Sequence, residues 1–229
     1  MKATSDIAIR ALGLTKRYAS GRSERTALRE VNLEIPAGEF WTVNGPSGSG
    51  KTTLLGLLAG MIAPTAGEVH LGGRCISHLR DSHRALVRRH AVGMVFQEFA
   101  MIPGMTLEEN LHLPRVPEGG PRRADRDRAR ALLDRFGLTA LAGTRVERLS
   151  AGELQRGAIL RALLGDAPIL LLDEPTASLD AENVARLLDL LVGLRNEGRT
   201  LLATTHDPRV VNDPRWDGVL RLADGALVS

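Results

Sequence analysis

The sequence has little cysteine, little lysine and no long apolar run, and each shortage excludes a class of protein. Cys75 is the single cysteine among 229 residues, so the chain cannot form an internal disulfide and suits a reducing compartment. No window approaches the run of about 18 apolar residues that a membrane-spanning helix needs. The first ten residues lack the apolar stretch of a secretion signal. The expected location is therefore the cytoplasm.

The balance of charge gives only weak evidence about partners. Lysine occurs at positions 2, 16 and 51, so arginine dominates the basic side, and the formal net charge is +3. This small excess does not favour nucleic acid, and it equally permits mild attraction to an anionic membrane surface. With 43% hydrophobic and 25% charged residues, the chain has the composition of an ordinary globular domain with a sizeable core.

Short apolar runs predict strands joined by helices. The predicted strands are 7–14, 28–35, 39–44, 67–73, 92–96, 168–174, 200–206 and a hairpin over 219–229. The predicted helices include 52–61, 124–138 and 181–195. Strands with long helical crossovers are typical of an α/β fold with a mostly parallel sheet. We expect one domain over 1–229, with an antiparallel part near the N-terminus, a core of about 1–96 and 166–229, and an inserted helical lobe at about 97–165.

A glycine-rich loop follows the third predicted strand and precedes a predicted helix. It reads Gly45, Pro46, Ser47, Gly48, Ser49, Gly50, Lys51, Thr52, and it fits the pattern G-x-x-x-x-G-K-[ST] at every fixed position. Glycines let backbone N–H groups curl around phosphate oxygens, at a helix N-terminus that attracts anions. In this pattern Lys51 reaches the β- and γ-phosphates and the Thr52 hydroxyl ligates Mg²⁺. The loop predicts a nucleotide site.

Polar groups follow three more apolar strands. Asp173 and Glu174 end the run at 169–172, Gln97 follows 92–96, and His206 follows 200–205. Ligands bind at the carboxyl ends of strands in open α/β sheets, so these groups are expected beside the phosphate loop. There, one carboxylate can hold the Mg²⁺ shell while the next orients or deprotonates water. A single histidine after a strand is usually structural, but the convergence favours a functional His206.

The other histidines lack the spacing of metal ligands and are interpreted as surface or packing residues. They stand at positions 70, 78, 83, 90 and 112.

The stretch LSAGELQRGAILRALL, residues 149–164, predicts a helix with a capping box. Ser150 precedes Glu153 by three residues, and an apolar face follows. Local structure does not explain why the cap also contains Gly152, a poor helix former.

Together, these motifs resemble the nucleotide-binding subunit of an ATP-binding cassette (ABC) transporter. The resemblance rests on the phosphate loop, Gln97, LSAGE at 149–153, DEP at 173–175 with Ser178-Leu179-Asp180, and THD at 205–207, in this order. It covers essentially the whole chain. The segment FQEFAMIPGMTLEENL (96–111) and the early C-terminal stop resemble the lipoprotein-releasing and macrolide-efflux ATPases, a type that includes a cell-division relative.

The resemblance implies two subunits that sandwich two ATP molecules head to tail. Glu174 would act on water, His206 would contact the γ-phosphate, and Asp180 would cross the dimer interface. The resemblance implies that the Mg²⁺ site is formed by Thr52, Gln97 and Asp173. Gln97 would also lie near the attacking water. Tyr18 would stack on adenine, although an edge-strand tyrosine is the alternative. The residues implied in ATP binding are Tyr18, 45–52, Thr53, Asp180 and, from the other subunit, Ser150, Ala151, Gly152 and Glu153.

The family usually has L-S-G-G-[EQ] where this chain has LSAGE. The resemblance implies that this stretch binds the γ-phosphate of ATP held by the other subunit, and that Gly152 lets the backbone approach the nucleotide. Ala151 replaces a glycine, and its methyl is tolerated unless the residue must adopt a positive φ.

The expected function is the ATPase subunit of a membrane transporter or mechanotransmission complex, peripheral at the cytoplasmic face of the inner membrane. The apolar segment after Gln97 is expected to bind a short helix of a permease. Its apolar residues are Phe99, Met101, Ile102 and Met105, and their alternative role is packing inside the lobe. The arginine-rich helix 122–135 carries interleaved aspartates and is interpreted as a solvated face, so no nucleic acid is expected. The alternative function is a soluble, non-transport ABC ATPase.

Overall fold

The computed structural model describes residues 6–21, 23–177 and 179–228, so Ser178 lies outside the described residues. The strands are β1 (Ile7–Ser20), β2 (Ser23–Pro36), β3 (Phe40–Asn44), β4 (Ala66–Leu71), β5 (Arg74–Cys75), β6 (Val92–Val95), β7 (Ile169–Leu172), β8 (Thr200–Thr205), β9 (Gly218–Ala223) and β10 (Ala226–Val228). The helices are α1 (Lys51–Leu58), α2 (Asp81–Ala91), α3 (Leu107–His112), α4 (Arg123–Arg135), α5 (Ala151–Leu164), α6 (Ala181–Asn196) and α7 (Pro208–Val211). Short 3-10 helices occupy Leu113–Glu118, Thr139–Leu141 and Val146–Arg148.

The larger sheet has six strands in the order β10-β9-β3-β8-β7-β6. β3 pairs in parallel with β8 and β9, and β7 pairs in parallel with β8 and β6. β9 and β10 form the antiparallel hairpin at the C-terminal end. This arrangement confirms the predicted α/β fold with a mostly parallel sheet.

Strand β7 shows why its sequence is apolar throughout. All four of its residues are buried. Ile169 and Leu171 pack in one apolar cluster with α1, whereas Leu170 and Leu172 pack in a second cluster with α5 and α6. Because successive side chains of a strand point to opposite faces, a sheet covered on both faces needs apolar residues at every position.

The smaller sheet has the strand order β2-β1-β4-β5 and is antiparallel, as predicted for the N-terminal part. Helix α1 packs against it: Leu54, Leu55 and Leu58 share one buried cluster with Ile9 of β1 and Leu28 of β2. The same cluster includes residues of the larger sheet, so α1 lies between the two sheets and its first turn is held firmly.

Helices α3, α4 and α5 lie between β6 and β7 along the chain. Only Ala129 and Leu133 of α4 are buried, which agrees with the predicted solvated face. Helix α2 is missing from the sequence prediction. None of its residues is fully buried, but Val87 and Ala91 pack against the first apolar cluster. Among the described residues, no helix combines the length and apolar character needed to cross a membrane.

Candidate nucleotide-binding site

The phosphate loop lies between β3 and α1, as predicted. A Cβ atom at Gly45 would lie 2.1 Å from the backbone oxygen of Leu222, and one at Gly50 would lie 2.6 Å from that of Ala27. Both positions therefore exclude any larger residue. Gly50 also has φ 109°, in the left-handed region that favours glycine. The phosphate loop is thus in close backbone contact with β9 at Gly45 and with β2 at Gly50.

The Lys51 side chain is buried and reaches back across the loop. Its Nζ atom donates to the backbone oxygens of Gly45 (2.7 Å) and Pro46 (3.2 Å). The same atom lies 3.2 Å from Glu174 Oε1. The ammonium is therefore fixed at the mouth of the loop, at the carboxyl end of the sheet.

The start of α1 fits a phosphate group. No side chain caps this helix, and its first turn contains no acidic residue, so its positive end has no compensating charge of its own. The Ser49 hydroxyl in the loop is buried and makes no hydrogen bond within the described residues. Free N–H groups at a helix start, a buried hydroxyl and a lysine are the donors that bind phosphate oxygens.

Asp173 is buried at the end of β7 and is oriented by β8. The Thr204 hydroxyl donates to Asp173 Oδ1 at 2.7 Å and accepts from the Glu174 backbone N–H at 3.0 Å. One hydroxyl group on β8 therefore fixes the Asp173 side chain and the Glu174 backbone. Thr204 is not predicted from the sequence, because a threonine inside an apolar strand has no distinguishing pattern.

The Glu174 carboxylate lies between two basic side chains. Besides the contact to Lys51, its Oε2 atom lies 2.8 Å from His206 Nδ1. Because a carboxylate only accepts, this ring nitrogen carries the proton. Glu174 has φ 46°, an uncommon value for a residue with a side chain, and such backbone conformations are concentrated at functional sites.

Lys51, Glu174 and His206 line one cleft of about 1060 Å³, whereas the predicted site residues Gly45, Pro46, Ser49 and Asp173 do not belong to its lining. Its lining includes the sequence-predicted residues Tyr18, Ser47, Gly48, Gly50, Lys51, Thr52, Thr53, Gln97, Glu174 and His206. Tyr18 is 39% exposed, and Lys16 Nζ lies 5.1 Å from its ring centre. Sequence reasoning missed the contributions of β2 and of the β9–β10 turn, namely Arg25, Thr26, Ala27, Asp224 and Gly225.

The capping box at the start of α5 is present as predicted. The Ser150 hydroxyl accepts from the Glu153 backbone N–H, and the Glu153 carboxylate accepts from the Ser150 backbone N–H at 2.7 Å. This last hydrogen bond, together with one from the Ser150 hydroxyl, holds the pKa of Glu153 below its ordinary value. Ala151 is the first helical residue and does not have a positive φ, so its methyl group is accommodated without backbone strain.

The starts of α5 and α6 pack together. A Cβ atom at Gly152 would lie 3.2 Å from Asn183 Oδ1, so a side chain there would crowd α6. Asp180 caps α6 by accepting from the Asn183 backbone N–H at 2.8 Å, and this contact lowers the pKa of Asp180. Residues 150–153 and Asp180 do not belong to the lining of the cleft within their own chain.

The loop after Gln97 is tied to α5 by Arg161. The guanidinium donates to the backbone oxygens of Phe99 (2.6 Å) and Ala100 (2.5 Å), and burial lowers the pKa of Arg161. Both loop residues have positive φ. Phe99 and Met101 pack against the second apolar cluster, whereas Ile102 is 47% exposed. For Phe99 and Met101, these contacts favour packing inside the lobe.

Comparisons with known proteins agree with this geometry. A family model described as ABC transporter matches residues 28–177. The chain is 40% identical over 221 residues to the macrolide export ATP-binding/permease protein MacB 1/2 of Paracoccus denitrificans, covering 96% of this chain and 33% of that protein. It is 37% identical to an uncharacterized ABC transporter ATP-binding protein, MJ1508 of Methanocaldococcus jannaschii, covering 96% of this chain and 97% of that protein. The chain thus spans about a third of the length of the export proteins it matches.

A solved structure shows the same fold. The ATP-binding cassette MJ0796, described as a dimer in a post-hydrolysis state bound to ADP and Pi, superimposes with a TM-score of 0.88 at 35% identity. The superposition covers 96% of this chain and 97% of that one.

Proposed function

Because the chain belongs to the ABC transporter family, we propose that it is the ATP-hydrolysing unit of a membrane transporter or mechanotransmission complex. It binds Mg-ATP, dimerises around two nucleotides and drives a permease from the cytoplasmic face of the inner membrane. The observation that carries the proposal is the convergence of Lys51 and His206 on the Glu174 carboxylate, beside the uncapped start of α1. The MacB relative is named as an ATP-binding and permease protein, which supports a permease as the membrane partner of this chain.

The residues of the cleft act on ATP in separate ways. The loop N–H groups and Lys51 bind the β- and γ-phosphates, and Tyr18 stacks on the adenine. Gln97 contacts the attacking water. Glu174 accepts a proton from that water, and His206 contacts the γ-phosphate. In-line attack then needs little more than positioning and charge compensation, which are the main sources of catalysis in phosphoryl transfer.

Oxygen donors suited to Mg²⁺ stand at Thr52, Gln97 and Asp173. Magnesium prefers carboxylate, carbonyl and hydroxyl oxygens, and Asp173 is held in place by Thr204 through one oxygen only. When bound, Mg²⁺ supplies positive charge to the phosphate oxygens.

The second half of each site comes from the other subunit. Ser150 and Gly152 begin α5 outside the cleft of their own chain, and Asp180 lies near them through Asn183. In a head-to-tail dimer, this helix start faces the γ-phosphate bound by the partner, and Asp180 crosses the interface. The MJ0796 structure, a dimer bound to ADP and Pi, supports dimerisation.

Nucleotide binding is tested first by Lys51→Ala. The variant should lose Mg-ATP binding, measured by calorimetry, and phosphate release. Arg130→Ala, a change of an exposed basic residue on α4, is the control and should retain both. Unchanged Mg-ATP affinity in Lys51→Ala would refute the assignment of the phosphate site.

The dimer is tested by mixing two inactive variants. Lys51→Ala destroys the phosphate loop, and Ser150→Arg blocks the helix start offered to the partner. A mixed dimer contains one site with neither defect, so the mixture should release phosphate faster than either variant alone. No recovery over a range of mixing ratios would contradict a site shared between subunits.

Transport is separated from the soluble alternative by the partner that co-purifies. Isolation of the chain from membranes under mild detergent should recover a permease whose assembly stimulates ATP hydrolysis. Recovery of ribosomes or DNA instead would favour the soluble, non-transport ATPase.

A further inference from the structure

The outward side of the β4–β5 hairpin gathers four side chains that carry metal-binding atoms. They are Glu68, His70, Cys75 and His78. Cys75 pairs directly with His70 across the two strands, and Glu68 precedes His70 by two residues, so all three lie on one face. Val69 and Leu71, which alternate with Glu68 and His70 on β4, point to the other face and are buried in the core. None of the four belongs to the lining of the nucleotide cleft.

The ligand atoms lie close together. His70 Nε2 is 2.9 Å from Glu68 Oε2, and His78 Nε2 is 3.1 Å from Glu68 Oε1. The donor atoms of Glu68, His70 and Cys75 all lie within 4.8 Å of one another. Tetrahedral zinc bonds of about 2.0–2.3 Å place neighbouring ligand atoms roughly 3.3–3.6 Å apart. Small side-chain rotations therefore suffice to bring Glu68, His70 and Cys75 around one ion. His78 contacts the cluster through Glu68 and is the exposed fourth donor.

The backbone beneath the cluster is fixed. Gly72 and Gly73 form a two-residue turn with φ values of 53° and 78°, and Leu71 pairs with Arg74 on either side of it. Two positive φ values are typical of the tight turn whose twist matches a hairpin. β4 is also paired with β1. Three of the four donors thus stand on a rigid support, which reduces the cost of ordering them around a ligand.

The charges around the cluster suit a cation. Arg10 on β1 lies directly opposite His70, but its Nε atom is 2.7 Å from Glu34 on β2, so its positive charge is already balanced. Glu68 supplies a carboxylate to the cluster and contacts both His70 and His78.

We propose that Glu68, His70, Cys75 and His78 form a binding site for a divalent transition-metal ion of the zinc class. A thiolate and two imidazole nitrogens favour zinc over magnesium or calcium, which prefer oxygen ligands alone. The ion takes the place of the hydrogen bonds between Glu68 and the two histidines. It clamps β5 and the segment that carries His78 onto β4. The spacing of these residues is not a familiar zinc motif, and the hairpin register is what brings them together.

Because Cys75 is the only thiol, its chemistry reports on the site without interference. Zn²⁺ added to the full chain should bind with one-to-one stoichiometry by calorimetry and slow the reaction of Cys75 with an aromatic disulfide reagent. Co²⁺ in its place should give a sulfur-to-cobalt charge-transfer band. A thiol that reacts equally fast with and without Zn²⁺ would overturn the proposal.

Variants distinguish a metal site from a hydrogen-bonded polar cluster. Cys75→Ser and His70→Ala should each weaken Zn²⁺ binding by about tenfold or more. His90→Ala, which changes an exposed histidine on α2, is the matched control and should bind Zn²⁺ like the natural chain. Cys75→Ser is nearly isosteric, so it tests the ligand without disturbing the hairpin. Equal Zn²⁺ affinity in Cys75→Ser would show that the four side chains form only a polar cluster.

Discussion

Lys51 Nζ lies 3.2 Å from Glu174 Oε1, and both side chains are almost completely buried. Separating a buried charge pair is unfavourable unless each charge gains a new interaction of opposite charge or hydrogen bonds. In the proposed cycle the γ-phosphate becomes that partner for Lys51, which frees Glu174 to face the attacking water. The nucleotide and Glu174 therefore compete for one ammonium group, and removing the charge of Glu174 should strengthen ATP binding.

Replacing Ala151 by glycine tests the cost of the unusual methyl group. Ala151→Gly should hydrolyse ATP as fast as the natural chain, or up to about threefold faster, which is under about 1 kcal/mol of activation free energy. The fold should lose up to about 1 kcal/mol, because glycine is a poor helix former. Phosphate release and urea unfolding measure the two effects. A tenfold loss of activity would show that alanine is required.

The capping box of α5 makes stability depend on pH. Because the pKa of Glu153 is lowered in the folded chain, its carboxylate stabilises the fold above the unfolded pKa of about 4.3. That contribution is lost as the pH falls through the lower folded value. Glutamine can keep the capping hydrogen bond but lacks the charge, so Glu153→Gln should lower the free energy of unfolding by about 0.3–0.5 kcal/mol near neutral pH, and by less in acid. Urea unfolding followed by circular dichroism measures this, and a gap that widens in acid would contradict it.

The apolar segment after Gln97 contains residues with different expected roles. Ile102 is 47% exposed, so Ile102→Asp should leave the fold and basal ATPase activity unchanged but weaken permease binding by about fivefold or more. Val116→Asp, at a 60% exposed site outside the segment, is the control and should bind normally. Phe99→Asp should instead lower stability, because Phe99 packs against the second apolar cluster. Normal permease assembly by Ile102→Asp would exclude it from the docking surface.

The parts of the fold that the sequence predicts are those with local patterns. The all-apolar run of β7, the phosphate loop and the Ser150–Glu153 spacing each follow from neighbouring residues alone. The meeting of Gln97, Glu174 and His206 in one cleft can also be predicted from the sequence. Each residue follows a parallel strand, and parallel strands have their carboxyl ends at the same edge of the sheet.

The parts that the sequence does not predict depend on contacts between distant residues. Thr204 orients both acids of β7 from a neighbouring strand, and Arg161 binds loop oxygens about 60 positions away. Asn183 fills the space beside Gly152. None of these partners has a fixed sequence spacing. Helix α2 consists mostly of polar and charged residues, and its few apolar residues, such as Val87 and Ala91, are only partly buried.

In the proposed mechanism, Glu174 accepts the proton from the attacking water while Lys51 holds the phosphate. Glu174→Gln keeps the shape of the side chain but removes both the base and the charge that competes for Lys51. The variant should bind Mg-ATP at least as tightly as the natural chain and form a closed dimer in size-exclusion chromatography. Asp173→Asn is the comparison, since a disturbed Mg²⁺ site should weaken Mg-ATP binding as well as turnover.

The most direct measurement is single-turnover phosphate release by Glu174→Gln at saturating Mg-ATP, beside its affinity for Mg-ATP. The expected rate is at least about 100-fold below that of the natural chain, as for loss of a general base, with unchanged or tighter binding of Mg-ATP. Phosphate release at a near-natural rate would contradict the assignment of Glu174 as the base.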